Sequence, residues 1–432
     1  MLGEQFYDNP QYKDYLSKTF VLFRVYTQEP DGRKVFEKYG VRATPTIMFF
    51  DGNGEAVDWI LGYDPPATAF KAQLDKILKG EDTFKSLTAV YAKNPKAIET
   101  VFKLARKYDD RYDQAKSAEF YKKVLALDPT GKKGTTDYQT GQEGVVEKVS
   151  FTQYAEFSLG IAALSSRPAD PAPMQAFLKK YPDGEMVKTG YMRLGAVHFL
   201  RTAPKDQAAA FFAEFANRFP KDTTALSMWV QRILTDKEPV DKGIELAAKA
   251  IALNKLEMEA KGKSGSQVTT AMGGSSLELN LARLYALKGD KEKAGAVIDE
   301  ALKAAGENPR MISSFAQAYL DIGAEDKAMA IYGPAFLQKS LAAAAAITPY
   351  ASFWARQDKN LDSALEAAKK AVEMNPAAFA GWTTLAQVYI KMKNAPEALK
   401  AADKALEVAP AAQKTIAQRM VDQIRTQAAA IK

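Results

Sequence analysis

The stretch "AGWTTLAQVYIKMKNAPEALKAADKALEVAP", residues 380–410, decides the fold. Trp382, Leu385, Ala386 and Tyr389 recur at three- and four-residue spacing, which lines them along one side of a helix. After an intervening turn, Ala398 and Ala405 begin a second helical pattern, and Pro410 closes the unit. The pattern predicts two antiparallel helices in about thirty residues.

The same unit recurs upstream. "LELNLARLYALKGDKEKAGAVIDEAL" (277–302) supplies Leu281, Ala282, Tyr285, Ala294 and Ala301 at matching offsets. "ISSFAQAYLDIGAEDKAMAIYGPA" (312–335) supplies Phe315, Ala316, Tyr319, Ala328 and Ala335. The turn alanines Ala294, Ala328, Ala364 and Ala398 stand 34, 36 and 34 residues apart. A longer turn in "QDKNLDSA" is expected to hold the two extra residues. Small residues at two fixed offsets let paired helices approach closely, while large ones fill the space between neighbouring units.

This pattern resembles the tetratricopeptide repeat. The resemblance implies an α-solenoid of helical hairpins whose concave face, made by the first helix of each pair, holds a protein or peptide partner. The offsets commonly used there mark Arg310, Ser313, Gln317, Leu320 and Asp321 in one repeat. In the last they mark Thr383, Gln387, Ile390 and Lys391. The family's carboxylate clamp of Lys, Asn and Arg is not found in register, which argues against that type of co-chaperone.

Upstream, "VFKLARKYDDRYDQAKSAEFYKKVLALDP" (101–129) places Leu104, Ala105, Tyr108, Tyr121 and Pro129 at similar offsets. Further diverged pairs are expected from "SLGIAALSSRPADPAPMQAFLKKYP" and "YMRLGAVHFLRTAPKDQAAAFFAEFANRFP", and "IELAAKAIALN" reads as the second helix of another. The expected organisation is diverged helical pairs over 81–259 with a mobile loop at 130–144, a flexible linker at 260–276, four repeats over 277–411 and a capping helix at 412–432. Both interruptions are rich in Gly, Ser and Thr.

The first eighty residues read differently. Asp8 to Lys18 predicts a helix, "TFVLFRVY" (19–26) a buried strand, and "DGRKVFEKYG" a short helix stopped by Gly40. "TPTIMFF" and "EAVDWILGY" predict two strands joined by a turn at "DGNG", and "PPATAFKAQLDKILKG" a closing helix. With "KYGVRATPT", this order resembles the second half of a thioredoxin-like domain, so the chain as a whole is expected to be mostly α with an incomplete α/β portion at 1–80. The resemblance implies that Thr44 and Pro45 form the substrate-groove corner, with Thr44 presenting its backbone to an extended peptide.

The family's domain has a central strand followed by Cys-x-x-Cys on a helix N-terminus, where the helix dipole lowers the thiol pKa. This chain has no cysteine. Two readings are open: Met1 is internal to a longer protein whose Cys-x-x-Cys lies upstream, or the domain is redox-dead. The first is the expectation, because loss by substitution would keep the central strand. No catalysis is expected from this chain itself.

Composition narrows the rest. Hydrophobic residues are 47% and charged ones 26%, the balance of a soluble globular protein. No apolar run reaches the roughly 18–20 residues of a membrane span. The net charge of +7 comes from lysines interleaved with carboxylates, not from basic blocks with aromatics, so nucleic acid is not expected. The single histidine, His198, lies in an apolar helical stretch without a nucleophile elbow and reads as a packing residue. No metal site, phosphate loop or cofactor is expected. Three functions stand open: a protein-interaction scaffold, the thiol–disulfide oxidoreductase of a longer parent, and an envelope assembly scaffold. As written the chain would stay in the cytoplasm, although bacterial proteins resembling this architecture are often exported.

Overall fold

We analysed a computed structural model, which describes residues 2–26, 29–63, 66–140, 145–260, 277–305, 309–410 and 414–431. The chain divides into two compact units, Met1–Pro204 and Lys205–Lys432.

In the first unit a π-helical turn, Gly3–Tyr7, leads into α1 (Pro10–Thr19). The Asn9 side chain caps α1 by accepting from Gln11 N at 3.0 Å, and Pro10 occupies the first helical position. Helix α2 (Pro30–Tyr39) stops at Gly40, whose φ of +66° lets Val41 N reach back to Phe36 O at 2.9 Å. β1 (Thr46–Phe50) and β2 (Ala56–Leu61) pair antiparallel with a bulge at Phe49/Phe50, and α3 (Ala67–Leu78) follows. Phe6, Tyr12, Leu16, Ile60, Phe70, Leu74 and Ile77 form this portion's core. Phe6 stacks on Tyr12 at 4.5 Å and meets Phe70 edge-on at 4.9 Å.

The strand expected over 19–26 does not form. Thr19 ends α1, and Phe20–Tyr26 carry no strand pairing, with Val21 and Phe23 102% and 87% exposed. A strand needs a neighbour to take its N–H and C=O groups. Among the described residues β1 pairs with β2 alone, so Val21, Leu22 and Phe23 remain exposed despite their strand propensity, while Phe20 packs its ring against Phe49.

Helical pairs then take over. They are α4 (Phe84–Lys93), α5 (Ile98–Asp110) and α6 (Gln114–Leu127), followed after a hairpin by α7 (Phe151–Leu164), α8 (Ala172–Lys180) and α9 (Glu185–Leu194). Val101, Phe102, Leu104, Ala105, Tyr121 and Val124 are buried between α5, α6 and α7, and Phe102 stacks on Phe151 at 4.3 Å. His198 lies in a second π-helical turn, Gly195–Phe199, half-buried, with its Nδ1 3.0 Å from the Thr202 hydroxyl.

The loop expected over 130–144 is corrected in part. Residues 135–139 are β3 (Thr135–Gln139), paired in register with β4 (Val146–Ser150); residues 141–144 lie outside the described set. The alternation in "TTDYQ" turns Thr136 and Tyr138 inward, a period-two signal masked by the Gly- and Thr-rich composition. Asp128 organises the entry to the hairpin. Its carboxylate accepts from Lys132 N (3.0 Å) and Lys133 N (2.8 Å), and its carbonyl accepts from the Thr152 hydroxyl (2.6 Å). At the far end Glu147 accepts from Met186 N at 2.9 Å, in the first turn of α9.

The second unit runs α10 (Lys205–Arg218), α11 (Thr223–Asp236), α12 (Val240–Ala260), α13 (Leu277–Lys288), α14 (Lys291–Ala305), α15 (Pro309–Asp321), α16 (Glu325–Tyr332), α17 (Pro334–Ser340), α18 (Ala344–Gln357), α19 (Leu361–Met374), α20 (Phe379–Lys391), α21 (Ala395–Val408) and α22 (Lys414–Ala429). The linker expected at 260–276 lies, apart from Ala260, outside the described residues. Four hairpins, α13–α14, α15–α16, α18–α19 and α20–α21, share one continuous core. Ala282, Ala294, Ala316, Ala328, Ala364, Ala386, Ala398 and Ala405 are essentially fully buried, as close helix approach requires. Helix α22 packs on α20 and α21, burying Ala417, Val421, Ile424 and Ala428.

The extra residues of the 36-residue interval are not in the turn. Turns 358–360, 322–324 and 392–394 are all three residues long. The span Glu325–Gln357 is 33 residues, whereas Lys291–Asp321 and Leu361–Lys391 are 31 each. The surplus therefore falls within Glu325–Gln357, the span in which Gly333 and Pro334 split the second helix into α16 and α17. Proline has no N–H to donate and its ring crowds the preceding turn, so the helix cannot continue. The Tyr332 carbonyl, left without a helical donor, accepts from the buried Trp354 Nε1 at 2.7 Å.

Candidate functional site

The first helices α13, α15, α18 and α20 pack successively against one another. Half-buried and exposed positions on these helices and in the turn after α18 carry a polar row. Arg283 Nε on α13 lies 3.9 Å from Asp321 Oδ2 on α15. Gln317 Nε2, one turn earlier on α15, donates to Asp321 Oδ1 at 2.8 Å. The Gln317 carbonyl oxygen accepts from Gln357 Nε2 on α18 at 2.6 Å. Beside Gln357, Asp358 Oδ2 stands 3.8 Å from Lys391 Nζ at the end of α20. Four repeats are bridged by six side chains.

Three of the expected residues, Gln317, Asp321 and Lys391, fall in this row. Thr383 is buried on α20, its hydroxyl turned back to Ala380 O at 3.0 Å, and Gln387 is half-buried on the same helix. Arg310 lies on α15, and its side chain is outside the described set. Arg283, Gln357 and Asp358 were not anticipated. Arg283 stands 34 residues before Gln317, and Gln357 stands 36 after Asp321 and 34 before Lys391. The repeat register, carried to every unit, marks both.

The two charged ends of the row remain accessible. Side chains of Arg283 and Asp321 are 36% and 39% exposed, those of Lys391 and Asp358 41% and 60%. Ion pairs this open and this long contribute at most about 0–1 kcal/mol. The row carries donors and acceptors of both signs.

At the other end of the chain, Thr44 and Pro45 are both exposed and joined by a cis peptide bond. Pro45 O accepts from Gly62 N at 2.9 Å, and the Thr46 hydroxyl donates to Ala43 O at 2.8 Å, so the corner is held from both sides. Strand β2 is pinned to α5 by a buried cluster. The Asp58 carboxylate accepts from Arg111 Nη2 at 3.1 Å and from Lys107 Nζ, while the Arg111 guanidinium lies 4.1 Å from the Phe84 ring centroid and 4.9 Å from that of Trp59. Burial draws the Arg111 pKa down despite Asp58. Among the described residues no group of three His, Cys, Asp or Glu side chains is placed to hold a metal, and no helix is long and apolar enough to cross a membrane.

A thioredoxin-like domain model matches residues 1–78. A model of the ChAPs (Chs5p-Arf1p-binding proteins) matches residues 281–429. No curated protein matches significantly. Similar solved structures include a chain of the APC/C hetero-tetramer Cut9–Hcn1 (13% identity, TM-score 0.31, covering 82% of this chain and 59% of that one). They also include yeast Tom70 (13% identity, TM-score 0.37, 84% and 87%) and YrrB, a TPR protein with an unusual peptide-binding site (15% identity, TM-score 0.27, 50% and 97%). The chain thus spans about three-fifths of the Cut9–Hcn1 chain it resembles. It joins a thioredoxin-like segment to an array of packed helical hairpins.

Proposed function

We propose that this chain is a non-catalytic protein-interaction scaffold whose 277–408 array grips an extended segment of a partner protein along the Arg283–Asp321–Gln317–Gln357 row. The observation that carries the reading is the continuity of that row. Side chains from three successive first helices meet on one face, and Asp358 with Lys391 extends it to a fourth. Paired amides match the alternating donors and acceptors of an extended backbone, and the half-exposed ions give each end one charge of each sign. Thr44 and Pro45 offer a second exposed backbone corner for an extended peptide, in keeping with the thioredoxin-like resemblance. A thiol exchange step needs a thiolate, and this chain has none to supply.

The test is peptide-display selection on the full chain, followed by affinity measurement on Gln317→Ala, Gln357→Ala and the double variant. Selected peptides should lose about tenfold or more on the double variant, the loss expected when two hydrogen bonds to a peptide go. Peptides that bind the double variant as tightly as the native chain would remove the row from the binding surface.

A further inference from the structure

A second site lies in the first unit, apart from the polar row. Between α6 and α7, near the α5–α6 turn, a cavity of about 200 Å³ is lined by Asp109, Ser117, Ala118, Tyr121, Phe157 and Ile161, among others. Part of its wall is apolar, from the Ala118 and Ile161 side chains and the ring of Phe157, and Gln114, Ser158 and Ser165 add neutral polar groups. Its one charged group is a carboxylate. Asp109 accepts from the hydroxyl of Ser117 and from that of Tyr121 at 2.7 Å.

Both donors are buried, with Ser117 2% and Tyr121 1% exposed, so they hold the carboxylate in one orientation. Asp109 itself is exposed. A carboxylate offers about four lone-pair sites, and the two hydroxyls use two of them. The basic side chains nearby are engaged elsewhere. Lys107 and Arg111 bind Asp58, Arg106 lies over the Tyr154 ring at 5.4 Å, and Lys116 over Tyr108 at 5.4 Å. Burial, then the Asp109 charge, raises the Tyr121 phenol well above its ordinary pKa, so it stays protonated and a donor.

We propose that this cavity receives a basic side chain, arginine in preference to lysine, from a protein partner. Its volume is below the roughly 300–1,000 Å³ of small-molecule sites and suits one long side chain. The apolar wall would cover the aliphatic stem and the Phe157 ring the guanidinium plane, while the free sites on Asp109 take the planar N–H fork. An acidic side chain is repelled by the carboxylate, and a neutral one lacks the charge that strengthens the hydrogen bonds to it.

The test uses the full chain with labelled alanine and isoleucine methyl groups. The probe is the peptide N-acetyl-Ala-Arg-Ala-amide, compared with its lysine, citrulline and glutamate counterparts. The arginine peptide should produce saturable shifts at the Ala118, Ile161 and Ala162 methyls, the lysine peptide weaker ones, and the other two none. Asp109→Asn removes the charge and leaves one acceptor oxygen where Ser117 and Tyr121 now use two, and it should weaken binding about tenfold or more. Ala118→Leu narrows the cavity without touching the carboxylate and should abolish the shifts, which keeps the test intact if Asp109→Asn misfolds. Equal response to citrulline and arginine, no response to either, or undiminished binding by a folded variant would overturn the proposal.

Discussion

Asp58 on β2 and Arg111 at the end of α5 meet at 3.1 Å, with the carboxylate entirely buried and the guanidinium side chain 16% exposed. Lys107 reaches the same carboxylate. A two-stranded hairpin is marginal alone, and this cluster is what ties it to the helical pair that follows.

Removing the carboxylate strands two cations in a largely dry site. Asp58→Ala should destabilise the chain by about 3–5 kcal/mol, the usual cost of breaking a buried pair from one side. Calorimetry on the full chain reads the effect as an earlier transition. A change below about 1 kcal/mol would place the cluster in the weak class of surface pairs.

The split second helix gives another prediction. Trp354→Phe retains the ring packing against Tyr350 and Phe353 but leaves the Tyr332 carbonyl without its donor. The expected loss is about 1–3 kcal/mol. Gly333→Ala should also destabilise, since a Cβ there would sit 2.3 Å from Met329 O, which the backbone must move to relieve. Denaturant melts of both variants against the native chain check this.

Asp128 should make stability fall in acid. Burial alone would raise its pKa, but the N–H groups of Lys133 and Lys132, with Thr130, outweigh that and hold it below the ordinary carboxylate value. A group depressed on folding contributes stability above its unfolded pKa of about 3.9 and loses it as pH falls through the folded value. The stability difference between the native chain and Asp128→Asn should therefore be constant near neutrality and shrink below about pH 4. A difference that does not change with pH would show that the carboxyl does not titrate in that window.

The polar row should matter little to folding. Gln357→Ala removes one hydrogen bond between two half-buried side chains, so its thermal transition should correspond to a loss of no more than about 1.5 kcal/mol. A larger loss would make the row a structural clasp between α15 and α18.

The helical array was legible because its physics is local and periodic. Close helix approach demands a small residue at the same two offsets in each unit, so Ala294, Ala328, Ala364 and Ala398 mark the register in the sequence. The same register holds Arg283 and Gln357. Proline and glycine at 333–334 were equally visible. What they did, splitting the second helix and displacing the 36-residue surplus from the turn, depended on the Trp354 indole meeting a freed carbonyl.

Residues 19–26 show where sequence stops. Their β-branched and aromatic composition by itself specifies a segment able to be a strand, and the hairpin 46–61 and its "DGNG" turn were specified in the same local way. Whether a segment becomes a strand depends on a neighbour offering backbone donors and acceptors, and none stands beside Phe20–Tyr26 among the described residues. Tertiary structure alone likewise decided that Asp58 meets Lys107 and Arg111 and that Asp109 opens into a cavity. Those contacts join residues dozens of positions apart or on different helices, where no periodicity reaches and only packing selects the partner.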